Sequence, residues 1–303
     1  MNKQTIALAG GSGHLGSLIA RALLAKPEVR LRLLVRPGSG GKVAGLVAQG
    51  AEVVEGEIGR NDTAALSRWA GGAASIISAI QGGPDLIVEG QTELLRVARQ
   101  SGVRRFIPSD FSLDMFTVAP GRIVTSDWRR RFADLAQAER GPVEVVHVLN
   151  GGFLDRGVLF GFINVVNPQT QTAYVWGDGK QTMHWTTYGD TARYTAEAAA
   201  DERPVPRRFA IAGDALDFWG IVAAYEAGSG KKLKIQTLGS LDELDARITE
   251  LVKGGQQNFG AFLPLMYYRA MLRGEGRLDP LMNHRYPAIQ PTGVRAYVER
   301  ERL

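Results

Sequence analysis

The chain of 303 residues contains no cysteine. Disulfides, thiolate metal sites, iron–sulfur clusters and a cysteine nucleophile are therefore excluded together. No stretch approaches 18 consecutive apolar residues, and the first residues run straight into a strand-like segment without the pattern of a signal peptide. We therefore expect a cytoplasmic protein with no membrane partner.

A strong charge excess is also missing, since 36 basic and 31 acidic residues leave a net charge of +5. Such a mild excess favours an anionic small molecule as readily as nucleic acid. With 45% apolar and 22% charged residues, the composition is that of a globular protein and excludes disorder and fibres. The length allows one large domain or two closely joined ones.

Several catalytic patterns are absent as well. The four histidines show no H-x-x-x-H spacing, so we predict no metal site. The chain has no Gly-x-Ser-x-Gly elbow and no Walker-type Gly-Lys-Ser/Thr, which leaves hydrolase and triphosphatase functions without support. None of the eight tyrosines is followed by lysine at the fourth position, so the usual Tyr-x-x-x-Lys pair of short-chain dehydrogenases is missing too.

What the chain does have is 37 glycines and a regular alternation of short apolar runs with helix-period segments up to about Leu149. This alternation predicts an α/β fold with a doubly wound parallel sheet of six strands. The predicted strands cover residues 6–9, 31–35, 53–54, 75–79, 105–108 and 143–149. We expect residues 1–150 to form a dinucleotide-binding domain and residues 151–303 a smaller α+β lobe, possibly interleaved with the first, with the site in the cleft between them.

The first strand is followed by a glycine-rich turn that opens a helix. Gly10, Gly13 and Gly16 have the spacing G-x-x-G-x-x-G, which suits a tight turn and close approach of a pyrophosphate to the helix N-terminus. The same turn contains Ser12, His14 and Leu15. A glycine-rich turn without a ligand is the plainer alternative, but the position at the first strand-to-helix junction favours a dinucleotide.

The residue that follows the second strand predicts which dinucleotide binds. About 20 positions after the last glycine, NAD-binding domains place an acidic residue, whereas a basic residue suits the 2′-phosphate of NADP. That position is Arg36, and Lys42 lies in the following loop. We therefore predict NADP(H) as the cofactor, and we add Ala79, Ile80 and Gln81, at the end of the fourth strand, to its predicted contacts.

Three groups of residues together resemble a known family: the turn from Gly10 to Gly16, the Val35-Arg36-Pro37 segment, and Pro108-Ser109-Asp110-Phe111. They resemble the NmrA-like and isoflavone reductase-like proteins, atypical relatives of the short-chain dehydrogenases. The Asn150-Gly151-Gly152-Phe153 segment and the C-terminal tail extend the resemblance to nearly the whole chain. It implies a Rossmann-type fold and an NADPH-dependent oxidoreductase that reduces a small aromatic, enone or quinone-like substrate.

The resemblance also implies roles for single residues. It places Ser109 and Phe111, with Asn150, Gly151 and Phe153, beside the cofactor. Asp110 is a catalytic candidate, with a capping role as the alternative. The family's catalytic lysine aligns with Arg129 or, with a two-residue gap, with Arg131. Guanidinium is a poor general base near neutral pH, although it can stabilise an oxyanion.

Two alternatives therefore stay open. The first is an NmrA-like redox sensor that binds NADP(H) and a regulatory protein partner without turnover. The second is nucleic-acid binding through a set of basic residues, which the mild net charge disfavours: Arg122, Arg129, Arg130, Arg131 and Arg140. Aromatic residues of the second lobe could form an apolar pocket or could simply belong to its core.

Overall fold

The computed structural model describes residues 3–60 and 62–303. Within these residues the strands, numbered in chain order, are β1 Gln4–Ala9, β2 Val29–Val35, β3 Glu52–Glu55, β4 Ala73–Ser78, β5 Arg105–Ile107, β6 Glu144–Val145, β7 His147–Leu149, β8 Gly152–Phe153, β9 Val166–Asn167, β10 Thr172–Trp176, β11 Met183–Thr186, β12 Arg208–Ala210, β13 Asp214–Leu216 and β14 Lys234–Gly239. The α-helices are α1 His14–Leu24, α2 Ala44–Val47, α3 Thr63–Ala70, α4 Gln91–Gln100, α5 Val124–Glu139, α6 Tyr188–Ala200, α7 Phe218–Ser229, α8 Leu241–Val252, α9 Phe259–Leu272 and α10 Val294–Glu301.

The chain forms two compact units, each built from three segments. Unit 1 contains Met1–Phe111, Trp128–Val148 and Thr191–Phe209, and unit 2 contains Ser112–Asp127, Leu149–Asp190 and Ala210–Leu303. The second unit, predicted as the smaller one, has 152 residues and the first has 151. Helices α5 and α6 and strands β7 and β12 each cross a boundary between units.

Unit 1 is organised by a six-stranded sheet with the order β3-β2-β1-β4-β5-β6, in which every pair is parallel. This is the strand order of the doubly wound Rossmann fold, so the predicted fold class is confirmed. Strands β1 and β4 have almost wholly buried side chains, as expected where helices cover both faces of a sheet. The buried core on one side includes Trp69, Phe106 and Phe132.

The predicted strands are found with small shifts at their ends, except for the sixth. The expected strand over residues 143–149 breaks at Val146 into β6 and β7, and only β6 belongs to the sheet. The main chain beyond the break turns to another partner, because His147 N–H donates to the carbonyl of Arg207 at 2.7 Å. A continuous apolar run could not predict this change of partner.

Unit 2 has its own core and two three-stranded sheets, ordered β14-β10-β9 and β13-β11-β8. Both sheets combine parallel and antiparallel pairs. Helices α7 to α10 contribute to a large apolar cluster that includes Trp185, Phe218, Tyr225 and Tyr268. Trp185 and Tyr268, for which the sequence leaves a pocket and a core position open, are thus buried in the core of this unit. No helix among the described residues has the length and apolarity that a membrane span requires.

Candidate functional site

Four turns of unit 1 meet at the carboxyl edge of its parallel sheet. They follow β1, β2, β4 and β5, and they carry almost all of the predicted cofactor residues of this unit. The chain runs from β1 outward to β2 and β3 and then returns to β4 on the other side of β1, so the strand order reverses between β1 and β4. Open α/β sheets bind ligands at such a reversal point.

The turn after β1 is made possible by the absence of side chains. Gly10 has a φ of +85°, and a Cβ there would lie 2.4 Å from the carbonyl oxygen of Ala79. A Cβ on Gly16 would lie 2.1 Å from the carbonyl oxygen of Gly10. Both contacts involve backbone atoms, which cannot move aside. These two glycines are therefore required by the close packing of β1, α1 and the turn after β4.

Gly13 has a different environment, which leaves the start of α1 open. A Cβ there would meet only the Gly10 carbonyl oxygen, at 3.4 Å. Gly13 is the N-cap of α1, no side chain caps the helix, and its first turn contains no acidic residue. Ser12, Gly13 and His14 are exposed. An uncapped and accessible helix N-terminus of this kind fits an anion such as a pyrophosphate.

The basic side chains after β2 are also available to an anion. Arg36 directly follows β2 and Lys42 lies in the short helical turn Gly40–Val43, and both are exposed. Within residues 3–60 and 62–303, neither side chain takes part in a hydrogen bond or ion pair. Their charges are therefore not neutralised by a carboxylate of this chain, which fits the 2′-phosphate expected from the sequence.

The turn after β5, which contains Ser109, is fixed by residues from other parts of unit 1. Ser109 N–H donates to Gln91 Oε1 of α4 at 2.7 Å, and Ser109 Oγ donates to the carbonyl oxygen of Ile80 at 2.6 Å. The second bond joins this turn to the turn after β4, which includes Ala79, Ile80 and the exposed Gln81. Ser109 thus holds two turns of the carboxyl edge together.

Asp110 is paired with a histidine instead of capping a helix. Its Oδ2 lies 2.6 Å from Nδ1 of His147, and both side chains are almost completely buried. Asp110 Oδ1 is also buried and accepts no hydrogen bond from a described residue. The next residue, buried Phe111, has a φ of +37°, which is unusual for a side chain of this size. The pair fixes the turn at the point where its backbone is strained.

The two arginines at the position of the family lysine have different environments. Arg129 of α5 donates from Nε to the carbonyl oxygens of Asp110 at 3.0 Å and Ser109 at 3.3 Å. Arg131 is exposed and its Nη2 lies 3.5 Å from Glu89 Oε1. The structure therefore brings Arg129 to the Ser109–Asp110 turn, whereas Arg131 makes a surface ion pair. A catalytic role for either stays a prediction.

In unit 2 the turn between β7 and β8 contains a buried asparagine. The backbone N–H groups of Asn150 and Gly151 both donate to the Ser112 carbonyl at 3.1 Å, and Thr186 Oγ1 donates to the Asn150 carbonyl at 2.6 Å. Both polar atoms of the Asn150 side chain are buried and without a hydrogen-bond partner among the described residues. A buried amide in this state is unusual, because most buried polar side-chain atoms of folded proteins have a hydrogen-bond partner.

Glycine and aromatic residues surround this turn. Gly151 has a φ of +69°, and a Cβ there would lie 2.2 Å from the carbonyl oxygen of His184. The ring of Phe153 stacks on Tyr188 with centroids 3.8 Å apart. Burial raises the pKa of Tyr188 to about 12, so its phenol stays protonated at neutral pH. Phe153 thus stacks on the uncharged phenol ring of Tyr188.

The remaining basic candidates do not form a free surface for nucleic acid. Arg122 lies 3.5 Å from Glu275 and 3.8 Å from Asp245, and Arg140 donates to the carbonyl oxygen of Val143. With Arg129 on the turn after β5, most of this set is engaged within the chain. No group of three histidine, cysteine or acidic side chains among the described residues could hold a metal ion.

A family model gives the evidence that decides what kind of protein this is. The model of the NmrA-like family matches residues 2–250. The chain belongs to the NmrA-like family. The resemblance noted in the sequence is thereby confirmed, and the turn from Gly10 to Gly16, Arg36 and the Pro108–Phe111 turn all lie within the matched part.

Curated relatives of this NmrA-like chain include reductases of aromatic compounds. A bifunctional pinoresinol-lariciresinol reductase from Forsythia intermedia is 26% identical over 322 aligned residues, which cover 99% of each chain. Among solved structures, an isoflavone reductase has a TM-score of 0.81 at 19% identity and covers 99% of this chain and 100% of its own. Leucoanthocyanidin reductase from Vitis vinifera, solved with NADPH, has a TM-score of 0.78 at 19% identity and covers 96% of this chain and 97% of its own. The structural likenesses establish a shared fold over the whole length of the chain.

Sequence reasoning missed the residues that hold the Pro108–Phe111 turn. Neither Gln91 nor His147 is among the site residues that the sequence predicts. They lie 18 and 37 residues along the chain from Ser109 and Asp110, so no local spacing could reveal them. The available signal was a histidine within a strand of valine and leucine, because a buried polar group needs a hydrogen-bonding partner.

Proposed function

We propose that the chain is an NADPH-dependent oxidoreductase of the isoflavone reductase-like type that reduces a small aromatic, enone or quinone-like substrate. The observation that carries the proposal is the open N-terminus of α1 at the reversal point of the sheet. The next strand in sequence, β2, is followed directly by Arg36, whose charge no carboxylate of the described residues neutralises. Family membership and reductase relatives support the same function.

The residues of unit 1 fit the cofactor. The N–H groups at the start of α1, with Ser12, Gly13, His14 and Leu15 around them, would bind the pyrophosphate. Arg36 and Lys42 would bind the 2′-phosphate through charge-assisted hydrogen bonds.

The turns after β4 and β5 would orient the reactive end of the cofactor. These turns contain Ala79, Ile80, Gln81, Ser109 and Phe111. Bound NADPH supplies a hydride for the reduction. Asp110 and Arg129 would act by keeping the Ser109–Phe111 backbone in place, because their observed contacts are to His147 and to two carbonyl oxygens.

We further propose that residues 1–150 provide the cofactor-binding part and residues 151–303 most of the substrate-binding part. Asn150, Gly151 and Phe153 would contribute to the cofactor site from the turn between β7 and β8. The buried amide of Asn150 supports this, since neither of its polar atoms has a hydrogen-bond partner among the described residues. The relatives suggest an aromatic molecule similar to pinoresinol, an isoflavone or leucoanthocyanidin as the substrate. A cytoplasmic location stays a prediction from the sequence.

One observation favours the sensor alternative. The two candidates for the position of the family lysine, Arg129 and Arg131, are both arginines, and Nε of Arg129 binds backbone carbonyls. An arginine in this role cannot exchange a proton near neutral pH, so turnover needs another donor or a substrate that needs little acid–base help. A redox sensor with a regulatory protein partner would need neither.

The test is NADPH oxidation with a panel of acceptors that contains pinoresinol, an isoflavone and a quinone. We expect NADPH to bind and at least one acceptor to increase its oxidation. Arg129→Lys keeps the charge but removes the planar donor, so turnover should fall while NADPH affinity changes little. Tight NADPH binding without turnover on any acceptor would favour the sensor, and absence of NADPH binding would contradict both functions.

A further inference from the structure

The strand β14 of unit 2 is exposed along almost its whole length. It lies at one end of the sheet β14-β10-β9, so within the described residues it has a strand neighbour on the side of β10 only. Five of its six residues are exposed, and since successive side chains alternate, both of its faces are open. The exposed residues include two large apolar ones, Ile235 at 37% and Leu238 at 39%. Such a strand is a template for pairing with another strand.

The open edge of β14, the side away from β10, presents the backbone groups of Ile235 and Thr237. Lys234 N–H donates to the carbonyl oxygen of Gln171, directly before β10, at 2.8 Å, so the backbone of Lys234 faces β10. Because the N–H and C=O groups of successive residues alternate between the two sides of a strand, those of Ile235 and Thr237 point away from β10. Among the described residues, no hydrogen bond reaches them from that side.

The features that usually block an exposed edge are almost missing here. The strand contains no proline, and its one charged residue, Lys234, stands at its beginning. The irregularity in its register with β10 comes at the far end, between Val175 and Trp176. The stretch from Ile235 to Leu238 is therefore an uncharged and regular edge, which favours pairing.

The sequence of β14 fits an antiparallel copy of itself. With Gln236 on a two-fold axis, Ile235 lies opposite Thr237 of the partner subunit, and Lys234 lies opposite Leu238 of the partner subunit. The outward backbone groups of Ile235 and Thr237 then form both hydrogen bonds of each pair. The two lysines lie at opposite ends of the pair, whereas a parallel pair in register would place them side by side.

The charges at the two ends of β14 favour the same arrangement. Lys234 begins the strand, and within the described residues its ammonium takes part in no hydrogen bond or ion pair. Asp242 and Glu243 follow the strand in the first turn of α8. The Asp242 side chain is 95% exposed although it pairs with Arg273 at 3.1 Å, so a second cation can approach it. Antiparallel pairing brings the basic end of one copy towards the acidic end of the other.

We propose that the open edge of β14 is a homodimer interface, at which β14 pairs with the β14 of a second copy of this chain, antiparallel and centred on Gln236. The pairing joins two β14-β10-β9 sheets into one continuous sheet. A two-fold contact covers this edge in both copies, so it ends in a dimer and not in a fibre. The interface does not depend on the proposed reductase function, and its test needs neither NADPH nor turnover.

Association is tested by sedimentation velocity of the full chain over a range of concentrations. We expect an equilibrium between monomer and dimer. Thr237→Pro removes an N–H that points away from β10, so it should raise the dissociation constant at least tenfold, and proline is tolerated at an edge of this kind. Thr237→Val is the matched control, because it keeps the N–H and the β-branched shape and should leave the dissociation constant unchanged. The melting temperature of each variant checks its fold.

The absence of cysteine from the chain allows the register to be tested directly. In the proposed pair, Gln236 lies opposite Gln236 of the partner subunit at a Cα distance of about 4.5 Å, which a disulfide can span. Gln236→Cys should therefore oxidise to a disulfide-linked dimer at least tenfold faster than Leu238→Cys, the exposed control on the same face. Both variants keep every backbone group of β14, so they test the proposal even if Thr237→Pro does not fold.

Three results would overturn the proposal. The first is a monomer at every concentration, and the second is a dimer that a folded Thr237→Pro does not weaken. The third is disulfide formation by Leu238→Cys as fast as by Gln236→Cys, which would show that the copies do not meet at Gln236.

Discussion

The turns after β1 and after β5 lie at the same edge of one sheet but are built in opposite ways. The first depends on missing side chains, because Cβ atoms at Gly10 and Gly16 would collide with backbone at 2.4 and 2.1 Å. The second depends on side chains from distant segments, with Ser109 held by Gln91 and Asp110 paired with His147. The turn after β1 thus requires glycine at fixed positions, whereas the turn after β5 requires side chains that only the tertiary fold brings together.

The largest expected effect tests the backbone packing of the first turn. Gly16→Ala should lower the free energy of unfolding by about 3 kcal/mol, since the new Cβ meets a fixed carbonyl oxygen. Gly13→Ala is the matched control, because its Cβ would lie 3.4 Å from the same oxygen. It should cost less than about 1 kcal/mol as an N-cap change. Urea unfolding measures both, and equal losses would contradict the packing account.

The second turn is tested by its buried pair. In a double-mutant cycle with Asp110→Asn and His147→Gln, we expect a coupling energy of about 2 kcal/mol, because the two side chains contact each other away from solvent. The single variants should each destabilise the protein, and the second substitution should add little to the first. Additive losses would show that Asp110 and His147 stabilise the turn independently.

The comparison can also be tested by pH at His184 of β11, whose carbonyl oxygen lies close to Gly151 in the turn between β7 and β8. The pKa of His184 is lowered from 6.5 to about 4, chiefly by burial and also by the nearby charge of Arg277, whereas Asp279 raises it. The unfolded chain therefore binds a proton between pH 6.5 and 4 that the folded chain does not. Stability should fall by about 2 kcal/mol as the pH decreases through this window.

The variant His184→Gln isolates this contribution from those of other titrating groups. Urea unfolding of both proteins at pH 4.5 and 7 gives the difference in pH dependence. We expect the wild type to lose more stability than the variant toward low pH. The same loss in both proteins would mean that His184 does not titrate as its burial implies.

The smallest expected effect concerns Lys42, the basic residue in the helical turn Gly40–Val43 after β2. Lys42 is exposed, so Lys42→Ala should weaken NADPH by less than about 1 kcal/mol, or about fivefold. The affinity for NADH, which has no 2′-phosphate, should stay the same. An equal loss of affinity for NADPH and for NADH would show that Lys42 does not bind the 2′-phosphate.

The two turns also differ in how far the sequence predicts them. The spacing of Gly10, Gly13 and Gly16, the run of the strands and the position of Arg36 are local features, and they predicted the fold class and the cofactor turn. The contacts of Asp110 and of Arg129 depend on tertiary folding that brings residues 19 and 37 positions apart together. Side chains that act through distant partners leave no spacing to recognise.

The break at Val146 was unpredictable for the same reason. Residues 143–149 are almost uniformly apolar or buried, so they fit one continuous strand. The change of partner at His147 depends on Arg207, which lies 60 residues further along the chain.

The most direct test of the proposed cofactor site is calorimetric titration of the wild type and Arg36→Leu with NADPH and NADH. The exposed Arg247→Leu of α8 serves as the control. We predict that the wild type prefers NADPH and that Arg36→Leu weakens NADPH by about tenfold to 100-fold, the equivalent of a charge-assisted hydrogen bond, with NADH unchanged. Equal affinities of the wild type for the two cofactors, or a preference for NADH, would contradict the account.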